Sequence, residues 1–253
     1  SIPEERVAAD VAARFERLIA DLPALERWGG EGLKEFVDEP AASLAVLRGR
    51  AAQMEQRAVE LRRMADGVHV GRVVERLRKL LDDEARRPAG DLDLLRAALL
   101  IAQLDDEELD IDDYVRQVDR MAEEIRKLLP ADADEAARIA ALNKYLFVDN
   151  GFHGSRTDYY HRANSYLNRV IDDREGIPIT LAILYIELAR RLDVAILGVG
   201  LPGHFVVKHV SKAGEEQLID VFEGGVKMSR AEAAAKVRSV ADVELRDEHL
   251  HPV

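Results

Sequence analysis

The 253-residue chain contains no cysteine. That absence excludes disulfides, thiolate metal sites and a cysteine nucleophile together. Aromatic residues are scarce at 5%, with a single tryptophan, so apolar burial must come from Leu, Val, Ile and Ala. Long apolar runs are also lacking. A spanning helix needs ~20 such residues, and the longest stretch, Ile177 to Tyr185, is interrupted by Pro178 and Thr180. The start, Ser1-Ile2-Pro3-Glu4-Glu5-Arg6, has no basic leader ahead of an apolar segment. The expectation is therefore a chain with no signal peptide and no membrane contact, placed in the cytoplasm. Basic residues are outnumbered, 36 against 48 acidic ones for a net charge of −12, which argues against a nucleic-acid partner. No cofactor is expected.

What is present reads as a helix-rich globular protein, 47% hydrophobic and 33% charged, in two parts: a helical region at 1–88 and a second domain at 89–253. Val7, Val11, Phe15, Leu18, Leu22 and Leu25 recur at steps of three and four, the stripe of an amphipathic helix, and a short helix follows through Val37. After Pro40 the same stepping continues through Leu44, Leu47, Ala51, Met54, Ala58, Leu61 and Ala65. Gly67 and Gly71 interrupt it before Val70, Val73, Val74, Leu77, Leu80 and Leu81 resume an apolar face. The spacing predicts an antiparallel helical hairpin, its alanines letting two backbones approach. The same heptads would also serve a homodimer through residues 41–87. Residues 41–90 hold 11 Lys and Arg against 7 Asp and Glu, leaving −16 for the rest. This basic stretch reads as a solvated helix face or as a second contact surface.

Pro88-Ala89-Gly90 marks the boundary, with Asp91 offered as the cap of a helix to Leu104. Further helices are predicted over Ile111 to Leu129 and Asp134 to Phe147. The carboxylate-rich run Asp105 to Asp113 lacks the glycine and spacing of a calcium loop. Gly151 to Arg162 reads as a loop. Gly176-Ile177-Pro178 opens a helix whose Leu181, Ala182, Tyr185, Leu188 and Leu192 form one apolar side, with proline suited to its first position. Val194 to Val199, His204 to Val210 and Glu216 to Val221 read as strands. A buried helix followed by an antiparallel sheet is an α+β arrangement.

Four ordered segments carry a family likeness. They are Phe147-Val148-Asp149-Asn150-Gly151-Phe152-His153-Gly154, Asn164-Ser165-Tyr166-Leu167-Asn168, Arg174-Glu175-Gly176-Ile177-Pro178-Ile179-Thr180-Leu181 and Gly198-Val199-Gly200-Leu201-Pro202-Gly203-His204-Phe205. Over Asp91 to Glu232 the chain closely resembles SirB-type proteins of the transglutaminase-like superfamily. The resemblance implies a papain-like core helix packed on a small antiparallel sheet. It also implies a catalytic slot at the start of that helix, where catalytic relatives carry cysteine and this chain has Pro178. The superfamily histidine corresponds to His204 and its aspartate to Asp220, followed here by Val221 where proline is usual.

Two functional readings follow. In the first, the chain is a non-catalytic regulatory or binding module that meets an unknown protein or peptide through the degenerate cleft around Asn164, Ser165, Asn168, Pro178, Thr180, His204 and Asp220. In the second it is a peptidase or amidase, with Ser165 or Thr180 supplying a hydroxyl, or water attacking, and His204 and Asp220 as base and orienting partner. Both hydroxyls have structural uses: Ser165 can cap a helix beginning at Tyr166, and Thr180 can pack in the first turn of the core helix. Metal binding by His153, His161, His204 and His209 is not expected, because His204 and His209 are five apart on a strand and face opposite sides.

Overall fold

The computed structural model describes Ala13, residues 40–84 and residues 92–253. The stripe Val7–Leu25, the helix through Val37, the boundary at Pro88–Gly90 and the cap at Asp91 lie outside the described residues. The chain divides into two compact units, one ending at His69 and the other running Val70–Val253.

Pro40–Glu84 forms a single helix, α1. The predicted hairpin is therefore corrected: Gly67 and Gly71 lie inside a continuous helix rather than in a turn. Glycine costs ~1 kcal/mol in a helix interior, and 45 residues rich in Ala, Leu, Arg and Glu outweigh two of them. A Cβ at either glycine would meet nothing within 4 Å, so neither marks a close backbone approach. In the first part of its apolar seam Leu44, Met54 and Leu61 are 49%, 49% and 65% exposed.

In the second unit, Val73 is buried and Leu77 packs on the main core. Arg76 donates to Gln103 at 2.6 Å. Helices α2 (Leu94–Ala102), α3 (Ile111–Lys127) and α4 (Glu135–Asn143) each start at an aspartate, Asp93, Asp110 and Asp134, whose carboxylate accepts a first-turn N–H. The helix expected through Phe147 changes character after Asn143: Lys144–Asp149 is a π-helical turn. Two short strands pair in parallel: β1 (His153–Gly154), inside the stretch expected to be loop, and β2 (Glu175–Gly176), just before the core helix. Between them lie a 3-10 turn at Arg162–Ser165 and α5 (Leu167–Asp173).

The core helix α6 (Pro178–Arg191) carries Pro178 at its start and buries Leu181, Leu184, Tyr185 and Leu188. Four antiparallel strands follow: β3 (Ile196–Leu201), β4 (His204–Val210), β5 (Glu216–Asp220) and β6 (Val226–Met228), in that spatial order. Val207 and Ile219 face the main core with α6, whereas Val199, Leu201, Val206 and Leu218 join a second cluster with Ala233 and Val237. These last two belong to α7 (Arg230–Ala241), held at its start by the reciprocal Ser229–Glu232 capping box. The sheet is thus covered on both faces. Beyond a 3-10 turn at Asp247–Leu250, Val253 donates its N–H to Gly198 on β3 at 3.1 Å.

Candidate functional site

A two-residue connection, Pro202-Gly203 with Gly203 at φ +72°, joins β3 to β4 and sets Leu201 opposite His204. Side chains alternate along a strand, so His204 shares a face with Val206, and Asp220 shares one with Leu218. Both therefore lie on the face that α7 covers. The His204 ring N–H at Nε2 donates to Asp220 Oδ2 at 2.9 Å. The side chains are 6% and 1% exposed.

The other carboxylate oxygen of Asp220 accepts the N–H groups of Phe222 at 3.1 Å and Glu223 at 3.3 Å. From α7, Lys236 Nζ lies 3.5 Å from Oδ2 and 2.9 Å from Glu223 Oε1. Burial pushes the Asp220 carboxyl up, but the hydrogen bond and charge of His204 together with Lys236 outweigh it and hold the group below the usual carboxylate range. Glu223 also pairs with Arg156, whose guanidinium sits 5.7 Å from the Phe222 ring centroid. Phe222 meets His204 edge to face and presses on Gly154, where a Cβ would sit 2.4 Å from the ring. That close approach is why β1 needs a glycine there.

Asn164 and Thr180 meet at the start of α6, which Pro178 opens. Thr180 Oγ1 donates to Asn164 O at 2.8 Å and Ile177 O at 3.1 Å. Asn164 Nδ2 in turn donates to Asp158 O at 2.8 Å, tying the preceding loop to the helix start. Pro178 is buried. Asn168 is 3% exposed and its Oδ1 has no partner among the described residues, as is true of Ser155 Oγ. Ser165 is exposed. It does not cap a helix: α5 begins at Leu167, and Tyr166 before it provides no side-chain cap.

The structure thus joins His204 with Asp220, and Asn164 with Thr180. Lys236, Glu223 and Phe222 were missed by sequence reasoning. Lys236 lies on a separate helix and carries no local signal, whereas Phe222 and Glu223 directly follow the aspartate. Also missed was a second pair, His209 Nε2 and Glu135 Oε2 at 3.2 Å, beside a groove of about 850 Å³ between α4 and the β4–β5 hairpin. His209 points away from His204, as the strand spacing predicts. Among the described residues no cluster of His and carboxylates could hold a metal ion, and no helix is long and apolar enough to cross a membrane. Chemically, the His204 Nε2 proton is held by Asp220, which leaves Nδ1 as the ring nitrogen that could act as a base, and the single Thr180 hydroxyl proton is shared between two carbonyls.

The sequence pattern of the transglutaminase-like superfamily matches residues 112–253. A UPF0162 protein of Xylella fastidiosa strain 9a5c is 36% identical over 168 residues, covering 66% of this chain and 57% of its own length. One from Vibrio cholerae is 25% identical over 136 residues, covering 53% and 50%. The chain therefore spans little more than half the length of these relatives. F-box only protein 21 of Homo sapiens is 37% identical over 83 residues, covering 33% of this chain and 13% of that protein. With the match running through the core helix, the sheet and the His204–Asp220 pair, the chain belongs to the transglutaminase-like superfamily.

Proposed function

We propose that this chain is a non-catalytic transglutaminase-like module that acts by binding a protein or peptide, and that His204 and Asp220 join β4, β5 and α7 instead of moving protons. The observation that carries this reading is the burial of His204, the only base the pair could supply. Its side chain is 6% exposed, its Nε2 is held by Asp220, and no hydroxyl is hydrogen-bonded to its other ring nitrogen among the described residues. A general base must reach substrate, directly or through one water. Pro178 in the nucleophile slot supports the same conclusion, as does a Thr180 hydroxyl already donating within the fold.

The test is turnover. A glutamine peptide with an amine acceptor, an unblocked peptide series and activated esters are expected to give only the background rate, unchanged in His204→Asn. Turnover by the parent chain that disappears in a normally folded His204→Asn variant would overturn the reading. The exposed seam of α1 supplies apolar surface for a second copy meeting through residues 41–87. Sedimentation should then show concentration-dependent association that Leu61→Glu weakens, and a monomer at every concentration would remove this part of the proposal.

A further inference from the structure

We infer that the outer edge of β6 accepts an extended peptide as a fifth strand, with an apolar side chain entering the cavity beside α7 and an acidic one meeting Lys227 on the opposite face. The inference rests on the binding-module reading and names its partner, but uses a surface apart from the His204 pair.

The sheet has two edges. At β3 the edge is engaged, because Val253 donates to Gly198 O and lies 3.6 Å from where a Cβ of Gly200 would stand. No strand pairs beyond β6 among the described residues, and both Val226 and Lys227 are exposed. Such an edge offers unpaired N–H and C=O groups to an incoming strand.

Cavities flank this edge on both faces, and Lys227 borders each. One is the groove of about 850 Å³ between α4 and the β4–β5 hairpin, reaching Asn143 and Ile219. The other, about 380 Å³, lies between β6 and α7; Val226, Met228, Ala235 and Lys236 line it, with Asp220 and Glu223 at one side. The strand register sorts the side chains accordingly. Val226 pairs with Asp220 and Met228 with Leu218 on the α7 face, while Lys227 pairs with Ile219 on the α4 face. A strand added at the sheet spacing of ~4.8 Å keeps that alternation, so its residues would point in turn toward one cavity and the other. Strand addition draws its affinity from main-chain hydrogen bonds and its selectivity from such alternate pockets.

The chemistry of each position follows. The α7-side cavity is walled mainly by apolar groups and suits an aliphatic side chain. Lys227 has no hydrogen bond or ion pair among the described residues, unlike Lys236 and Lys208, which both meet carboxylates. Opposite charges directly across a strand pair are favourable and like charges unfavourable, which selects Glu or Asp there.

The experiment uses the full chain and two fluorescein-labelled probes, Thr-Leu-Glu-Leu-Glu-Thr and its counterpart with Lys for Glu, followed by anisotropy. Saturable binding of the Glu peptide is expected, at least tenfold tighter than the Lys peptide. Lys227→Glu should invert that preference, and Ala235→Trp, which fills the α7-side cavity from an exposed position, should weaken both peptides at least tenfold with an unchanged Tm. Binding indifferent to both substitutions overturns the edge site while leaving a binding module elsewhere. Absence of saturable binding by either peptide also overturns the inference, whereas the non-catalytic reading stands or falls on the turnover assay.

Discussion

His204 and His209 lie on one strand, five residues apart, and each ring meets a carboxylate, yet the two pairs differ in almost every respect that matters for chemistry. The His204–Asp220 pair is 6% and 1% exposed and linked to a lysine and two backbone N–H groups. The His209–Glu135 pair is 13% and 19% exposed, longer at 3.2 Å, and borders an open groove. A retained motif and an accessible pair are thus separate properties. The strand's alternation sends one ring beneath α7 and the other to a helix 74 residues earlier in sequence.

The sharpest way to break the comparison is to delete each carboxylate. Asp220→Ala strands a buried imidazole and two N–H groups beneath α7, and removing one partner of a buried pair typically costs about 3–5 kcal/mol. Urea unfolding should show a loss of that order; a loss below about 1 kcal/mol would mean that the pair does not hold the fold. Acid provides the next contrast. The folded-state pKa of Asp220 is depressed, so its stabilisation is present above the unfolded value, ~3.9, and is lost as pH falls through the lower folded value. The acid limb of the stability curve should therefore be shallower in Asp220→Asn than in the parent, with parallel limbs contradicting the linkage.

Smaller effects sharpen the same contrast. Lys236→Met removes a partly exposed ammonium that bridges Asp220 and Glu223, and about 1 kcal/mol is expected, near the upper end for incompletely buried pairs. Its double-mutant cycle with Asp220→Asn should yield a coupling that the cycle with Glu135→Gln lacks. Least of all, Glu135→Ala should cost under ~1 kcal/mol, because the groove lets water replace the lost contact. A larger loss on thermal unfolding would make the second pair structural as well.

The sequence made the second domain readable where local chemistry and periodicity agreed. Pro178 opens the core helix, the helices expected from Ile111 and Asp134 begin within a residue of those positions, and the glycine-marked turns divide strands whose observed bounds differ by at most a residue or two. His204 and Asp220 were found because an ordered motif carries them. Failures arose where one cue had to decide between comparable energies. Gly67 and Gly71 suggested a turn, but two glycine penalties are small beside a long run of good helix formers. Lys236 and Glu135 were invisible because each comes from a distant helix to complete a contact, and charged residues on amphipathic helices carry no mark of their partner.

One departure from the expected helix has a consequence for chain length. The π-helical turn at Lys144–Asp149 accommodates one more residue than an α-helical turn would, and just past it Phe152 hooks back, donating its N–H to Leu146 O at 2.9 Å while its ring is buried. Deleting the exposed Val148 would let the turn close as regular α, but would shorten by one residue the span that carries the Phe152 N–H back to Leu146 O, and draw Phe152 from its seat. This segment should therefore accept many exchanges of one residue for another while resisting the loss of a single one, a tolerance set by counting and not by composition.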